Sequence, residues 1–305
     1  HRASVNTLAV NRKDQVISGA EDRTIKVWDI QSGECLQTLT GHTASVNALL
    51  VNNKDQVISG SSDKSIRVWD LKSGISIKTL REHTDSVQVL VVYRQGQILS
   101  GSYDGTVKLW DTDNSLNLDT LGYQREDSLE AVLALAVNSD GQVVSGGSGD
   151  SAISIREFCS RTLIDGEPST ADSVFALAVN SKDQVISGSV DGRIKVWDLK
   201  SEVCLRTLAG HAFFIKALAV NSRDQVISGS SDKMIKVWDV ESKVCLRTLT
   251  GHKSYVTVLA VNSKDQVISG SYDTTIKVWD VKSGVCLRTL TGHSESVYAL
   301  AVDSM

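Results

Sequence analysis

Six histidines, six tryptophans and five cysteines carry most of the distinctive chemistry in this 305-residue sequence, and their spacing decides what they can do. Trp-Asp recurs at Trp28-Asp29, Trp69-Asp70, Trp110-Asp111, Trp197-Asp198, Trp238-Asp239 and Trp279-Asp280, at intervals of 41 residues within each group of three. His1, His42, His83, His211, His252 and His293 all fall at a second position of the same period. Serines and aspartates accompany them, so the ingredients of a Ser-His-Asp nucleophilic centre and of a metal site are both present. Either chemistry requires its residues to converge on one point, whereas a residue that recurs once per period is distributed one to each structural unit. The reading is therefore no catalytic site, no metal, no cofactor and no enzyme.

Other candidate motifs lack a defining part. Ser145-Gly146-Gly147-Ser148-Gly149-Asp150 has no Lys-Ser/Thr to make a phosphate loop, and Asp111-Thr112-Asp113-Asn114-Ser115 lacks the later Gly and Glu of a calcium loop, so both read as turns. Cys35, Cys204, Cys245 and Cys286 share one repeat position, with Cys159 near the matching place. Held in different units they stand beyond the ~7 Å between Cα atoms that a disulfide allows, which predicts reduced thiols and a cytoplasmic setting. A net charge of −4 without any run of Lys or Arg argues against nucleic acid. No stretch approaches the ~18 apolar residues of a membrane-spanning helix, which predicts no membrane partner.

The elements that must position these residues follow from the repeat. Trp110 and Trp197 stand 87 residues apart, which leaves room for one further unit, with Ile153-Ser154-Ile155-Arg156-Glu157 in the place of the Trp-Asp run. Seven repeats result. Each has short runs rich in β-branched residues, as in Ser45 to Val51, Gln56 to Ser59, Ser65 to Trp69 and Ile75 to Leu80, bounded by Asn, Asp, Ser and Gly. Four strands per repeat are predicted, the first buried on both faces and the third alternating Ile and Val with Lys or Arg. Asn-Ser-Lys-Asp and its relatives link strands one and two, Gly105 and Gly192 supply a positive φ between strands two and three, and the single proline, Pro168, falls in a loop. A lone four-stranded sheet leaves both faces bare, so stacked copies closing on themselves are the natural solution. The predicted fold is all-β, a seven-bladed β-propeller of four-stranded antiparallel blades, forming one domain over residues 1–305.

Gly41-His42, Gly210-His211, Gly251-His252 and Gly292-His293, weakened to Glu82-His83, together with the Trp-Asp pairs at this period, resemble the WD-repeat β-propeller family over the whole chain. The resemblance implies a hydrogen-bonded chain of His, Ser, Asp and Trp inside each blade. Carried over by position, it comprises His42, Ser59, Asp63 and Trp69 in the second repeat, and His83, Ser100, Asp104 and Trp110 in the third. His211, Ser228, Asp232 and Trp238 follow in the sixth, and His252, Ser269, Asp273 and Trp279 in the seventh. The fourth repeat has neither Trp nor His. In the fifth, Thr170 stands near the His position, which leaves Ser187, Asp191 and Trp197 as an incomplete chain.

The family binds partners on its top face, at residues flanking the first Val of strand one and before the turn Asp. Mapped here, these are small and polar in early repeats: Ser4, Asn6, Glu21, Ser45, Asn47, Ser62, Ser86 and Gln88. Later they become Phe175, Val190, Phe214, Lys216, Tyr255, Thr257 and Tyr272, with Tyr103 in the third repeat. Rim aromatics are typical protein anchors, which points to a protein or peptide bound over the fifth to seventh repeats. A second candidate is the acidic pair of loops around the fourth repeat, with Glu126, Asp127, Glu130, Asp165, Glu167 and Asp172 against Arg125, suited to a basic peptide. The leading function is a non-enzymatic scaffold or sensor, a monomeric domain of a larger signalling protein. The alternatives are a propeller enzyme or small-molecule binder using the central channel, where Lys216 is the lone basic group, and a strand-exchange oligomerisation module. The last arises because first strands number eight, beginning near Ser4, Ser45, Ser86, Ala131, Ser173, Phe214, Tyr255 and Ser296. The surplus predicts an extra C-terminal strand, with one terminus displaced from the ring.

Overall fold

A computed structural model describes residues 1–122, 131–148, 153–157, 159–163, 173–201 and 203–302. The loop residues Arg125, Glu126, Asp127, Glu130, Asp165, Glu167, Pro168, Thr170 and Asp172 lie outside this description, as do the side chains of the fourth repeat's outer strands, including Cys159. The chain divides into two compact bodies, His1–Leu135 and Ala136–Met305.

Every repeat pairs its strands in chain order. In the second, Val46–Val51, Val57–Ser61, Ile66–Asp70 and Ile75–Leu80 form one antiparallel sheet. The first turn is set by its asparagine: Asn52 Oδ1 accepts from the amides of Lys54 and Gln56, both at 3.0 Å, while Asp55 takes φ 59°. Asp and Asn tolerate this left-handed region because their short polar side chains bond locally. In the six repeats where it is described, the second turn takes a positive φ, and Gly105 and Gly192 supply it without a Cβ penalty. Arg23, Lys64, Lys233 and Thr274 adopt it at φ 68–74° with one.

The core lies between neighbouring sheets. Ile17, Ile25, Val27 and Leu39 of the first repeat pack with Val46, Leu49, Val57 and Trp69 of the second. Repeat six joins repeat seven in the same way, through Ile227, Ile235, Val237 and Leu249 against Val256, Val267 and Trp279. Contact is close because strand two carries glycine: a Cβ on Gly229 would stand 2.7 Å from Val256 Cγ1, and one on Gly60 would stand 2.6 Å from Val87 Cγ1.

Two expectations are corrected. Blades built on the repeat pattern, with Trp-Asp on a third strand and its indole bonded to strand two, number six and not seven. They are repeats one to three and five to seven. The fourth repeat also makes a four-stranded sheet, through Val132–Val137, Val143–Gly147, Ile153–Glu157 and Cys159–Leu163. It is not a blade of that construction, because it has no Trp to fill the space beside its neighbour and no His to anchor its turn. The extra C-terminal strand does not form either: residues 293–302 carry no strand. A strand needs a ladder of backbone bonds, and here the tie to the seventh repeat runs from the Val297 amide to the Ser271 carbonyl at 3.1 Å. Val297 is nevertheless buried, and a Cβ on Gly270 would stand 2.6 Å from its Cγ1.

Candidate functional site

In five repeats, three residues on the second strand, turn and third strand meet a histidine that precedes the first strand. His42 Nδ1 lies 2.7 Å from Asp63 Oδ2 and its Nε2 2.7 Å from Ser59 Oγ, while the Trp69 indole N–H donates to the same hydroxyl at 2.8 Å. His83, Asp104, Ser100 and Trp110 repeat this at 2.8, 2.7 and 2.7 Å. His211, Asp232, Ser228 and Trp238 do so at 2.7, 2.8 and 2.8 Å, and His252, Asp273, Ser269 and Trp279 at 2.9, 2.7 and 2.8 Å. His1, Asp22, Ser18 and Trp28 make a further chain in the first repeat. In the fifth, the Trp197 indole donates to Ser187 Oγ at 2.9 Å, and Asp191 instead accepts from the Arg193 amide and the Ser189 hydroxyl.

Burial alone would raise the Asp63 carboxyl, but hydrogen bonds from His42, Ser65 and the Thr43 amide outweigh it and hold the group well below the usual carboxylate range. Asp104 and Asp273 are held down likewise. An ionised Asp requires the imidazole Nδ1 to carry a proton, which leaves Nε2 to accept from Ser. For His211 and His252 burial dominates and lowers the pKa despite the adjacent carboxylates, favouring this neutral ring. The constellation has the connectivity of a hydrolytic triad without its chemistry. Ser59, Ser100, Ser228 and Ser269 are fully buried, and each hydroxyl is engaged by an imidazole and an indole. Among the described residues, no group of three or more His, Cys, Asp or Glu is placed to hold a metal. Cys35, Cys204, Cys245 and Cys286 are free thiols, paired in register opposite the tryptophans.

The surface candidates share a geometric origin. Strand one pairs with strand two through an irregularity immediately after its first residue, so Asn6, Asn47, Gln88, Phe175, Lys216 and Thr257 are each skipped by the ladder. A bulge of this kind re-aims a side chain. In early repeats the re-aimed groups are satisfied. Asn6 Nδ2 donates to Ser45 Oγ at 2.8 Å, Asn47 Nδ2 to Ser62 Oγ, Ser86 Oγ and the Val87 carbonyl at 2.9–3.1 Å, and Gln88 Nε2 to Ser86 Oγ at 2.7 Å. Tyr103 is exposed beside them.

The later repeats bring aromatics together. Phe175 and Phe214 stack with centroids 6.5 Å apart, and Lys216 Nζ lies 4.3 Å from the first ring centroid and 5.7 Å from the second. Tyr255 and Tyr272 stand 5.4 Å apart, and Tyr298 meets Tyr272 edge-on at 5.3 Å. Thr257 Oγ1 donates to the Val297 carbonyl, and the Val190 amide donates to the Ser173 carbonyl at 3.0 Å. Phe214, Tyr255 and Tyr272 are 39–43% exposed. Sequence reasoning missed Tyr298 and the exposed Phe213. Tyr298 follows Val297 as Asn6 follows Val5, so the repeat register would have found it had the surplus segment been mapped with the others.

Residues 4–264 match a family described as the IFT122 first beta-propeller. Two curated proteins match short stretches: Mitochondrial division protein 1 of Schizosaccharomyces pombe, 49% identical over 39 residues, and F-box and WD repeat domain-containing 11-A of Danio rerio, 63% identical over 30. Those stretches are 13% and 10% of this chain and only 6% and 5% of the relatives' own lengths. Among solved structures, the computationally designed Ika8 protein superposes with a TM-score of 0.85 at 35% identity, over all of this chain and 92% of that one. Repeat period, blade construction and the match over most of its length agree: this chain belongs to the WD-repeat β-propeller family, in the group described by the IFT122 first beta-propeller.

Proposed function

We propose that this chain is a non-enzymatic interaction scaffold that holds a protein or peptide on the surface formed by Phe175, Val190, Phe214, Lys216, Tyr255, Thr257 and Tyr272, extended by Tyr298. The observation that carries the reading is that Phe214, Tyr255 and Tyr272 are exposed within two ring groups, Phe175 with Phe214 and Tyr255 with Tyr272 and Tyr298, at positions which the second blade fills with Ser45, Asn47 and Ser62, bonded within the protein. Exposed aromatics offer large contact area for little ordering entropy, and clustered ones mark binding surfaces where scattered ones do not. Membership of the WD-repeat family, whose propellers generally bind proteins, supports the same reading. The buried, fully bonded serines give no support to a nucleophilic enzyme.

The test is to pan a random-peptide phage library on the protein and on a Phe214→Ser, Tyr255→Ser, Tyr272→Ser variant whose fold is checked by circular dichroism. Peptides that bind the parent and are lost by the variant support the surface. An absence of enriched peptides, or peptides that bind both proteins equally, rejects it.

A further inference from the structure

The bulge position exposes an inconsistency between repeats that the aromatic surface alone does not explain. Asn47 gives its amide hydrogens to Ser62 Oγ, Ser86 Oγ and the Val87 carbonyl, and Thr257 gives its hydroxyl hydrogen to its own blade's Gly270 carbonyl and to Val297. Lys216, at the same position of the sixth repeat, turns away and lies over Phe175 and Phe214. Its ammonium is partly buried and, among the described residues, meets neither a hydrogen-bond acceptor nor a counter-ion. The hydroxyl corresponding to Ser62 is Ser231 Oγ, which is buried without a hydrogen-bond partner. The Ser231 amide donates to the Phe214 carbonyl at 2.9 Å, so Ser231 and Lys216 belong to one blade and each adjoins Phe214, the first at its backbone and the second at its ring.

We infer that Lys216 and Ser231, flanked by the Phe175 and Phe214 rings, form a receptor for the carboxylate of an Asp or Glu residue within an otherwise apolar peptide segment. This rests on the aromatic surface being the binding face. A half-buried ammonium without a partner is costly, and contact with aromatic faces offsets only part of that cost. A carboxylate would supply the charge-assisted bond that Lys216 lacks and accept the Ser231 hydroxyl hydrogen. Residues on either side of the acid would cover the two phenyl rings. The local chemistry matches one negative charge: phosphate is ordinarily gathered by clusters of Arg, and among the described residues no Arg is placed over these rings. Burial also lowers the Lys216 pKa, a depression that an adjacent carboxylate would relieve.

The experiment starts from the panned peptides. Each acidic peptide is synthesised in its native form, with Asp or Glu replaced by Asn or Gln, and with phosphoserine at that position. Binding is measured by fluorescence anisotropy to the parent, to Phe214→Ser, and to Lys216→Met, with Lys216→Gln as a second charge-removing variant should Lys216→Met fail to fold. The expected result is enrichment of acidic peptides that bind the parent about tenfold more weakly once amidated, with phosphoserine no better than Asp. The lysine variants should bind acid and amide forms equally. Peptides that require Phe214 but carry no acid, tolerate amidation, keep their discrimination in the lysine variants, or bind only as phosphoserine would overturn the carboxylate receptor and leave the surface standing. Binding indifferent to Phe214 would overturn the surface itself.

Discussion

The second and third repeats and the sixth and seventh share one internal frame and differ at the bulge of strand one and at the residue before it. In both regions Ser accepts from Trp and bonds His, His bonds Asp, and the distances agree within 0.2 Å. At the bulge, however, the early region places Asn47 and Gln88, whose amides are bonded within the protein, and the later region places Thr257, which is bonded as well, and Lys216, which is not. The residue before strand one changes in parallel, from Ser45 and Ser86 to Phe214 and Tyr255. The frame is indifferent to this exchange, because a bulge residue stands outside the ladder that holds the sheet together. Positions outside the ladder are free to take up recognition.

The shared frame is most severely tested through its tryptophans. Trp69→Ala and Trp238→Ala should each cost about 3–5 kcal/mol, the range for emptying a buried aromatic site. Urea denaturation followed by circular dichroism should show similar losses in the two regions, and a large inequality would break the comparison. Acidification should act next. His211 and His252 have folded pKa values below their unfolded ones, so the stability they contribute is complete above about pH 6.5 and declines as pH falls below it. Asp63, Asp104 and Asp273 are also depressed, so their contribution is complete above about pH 4 and is lost on further acidification. Both groups act in the same direction. Urea midpoints should therefore fall from pH 7.5 to pH 5.5 and fall again by pH 3, and a midpoint unchanged over the first interval would contradict the neutral-histidine assignment.

Smaller effects separate the regions. Asn47→Ala removes the two amide hydrogens shared among Ser62 Oγ, Ser86 Oγ and the Val87 carbonyl, and leaves in place the existing bond from the Ser86 hydroxyl to Ser62 Oγ at 2.9 Å, a loss of about 1–2 kcal/mol. Tyr255→Ser and Tyr272→Ser should change stability by only about 0.5 kcal/mol each, as expected of partly exposed side chains outside the core. Thermal melts of the three variants would show the order. If the tyrosine substitutions proved as costly as Asn47→Ala, the later cluster would be serving the fold, and the contrast between the regions would fail.

Much of this molecule was legible before any coordinates. The 41-residue period, the four strands of each repeat, the turn asparagines and the placement of Trp, Ser and Asp are properties of short segments, because β-branched alternation and turn chemistry act over a few residues and recur with the repeat. Tertiary structure decided what depends on partners distant in sequence. A strand needs a ladder of backbone bonds, so residues 297–302, which read like the strand Val174–Val179, form none with only the Val297 backbone, among the described residues, bonded to the seventh repeat, while Val297 still packs like a first-strand residue. The fourth repeat's lack of Trp and His was plain in the sequence, whereas that its four segments still pair as a sheet was decided by the structure. The bulge itself is invisible in one dimension: the repeat marks Lys216 as a surface position, but only the pairing of Ile215 with Ser230 and of Ala217 with Gly229 takes it out of the ladder and leaves its charge over two phenyl rings.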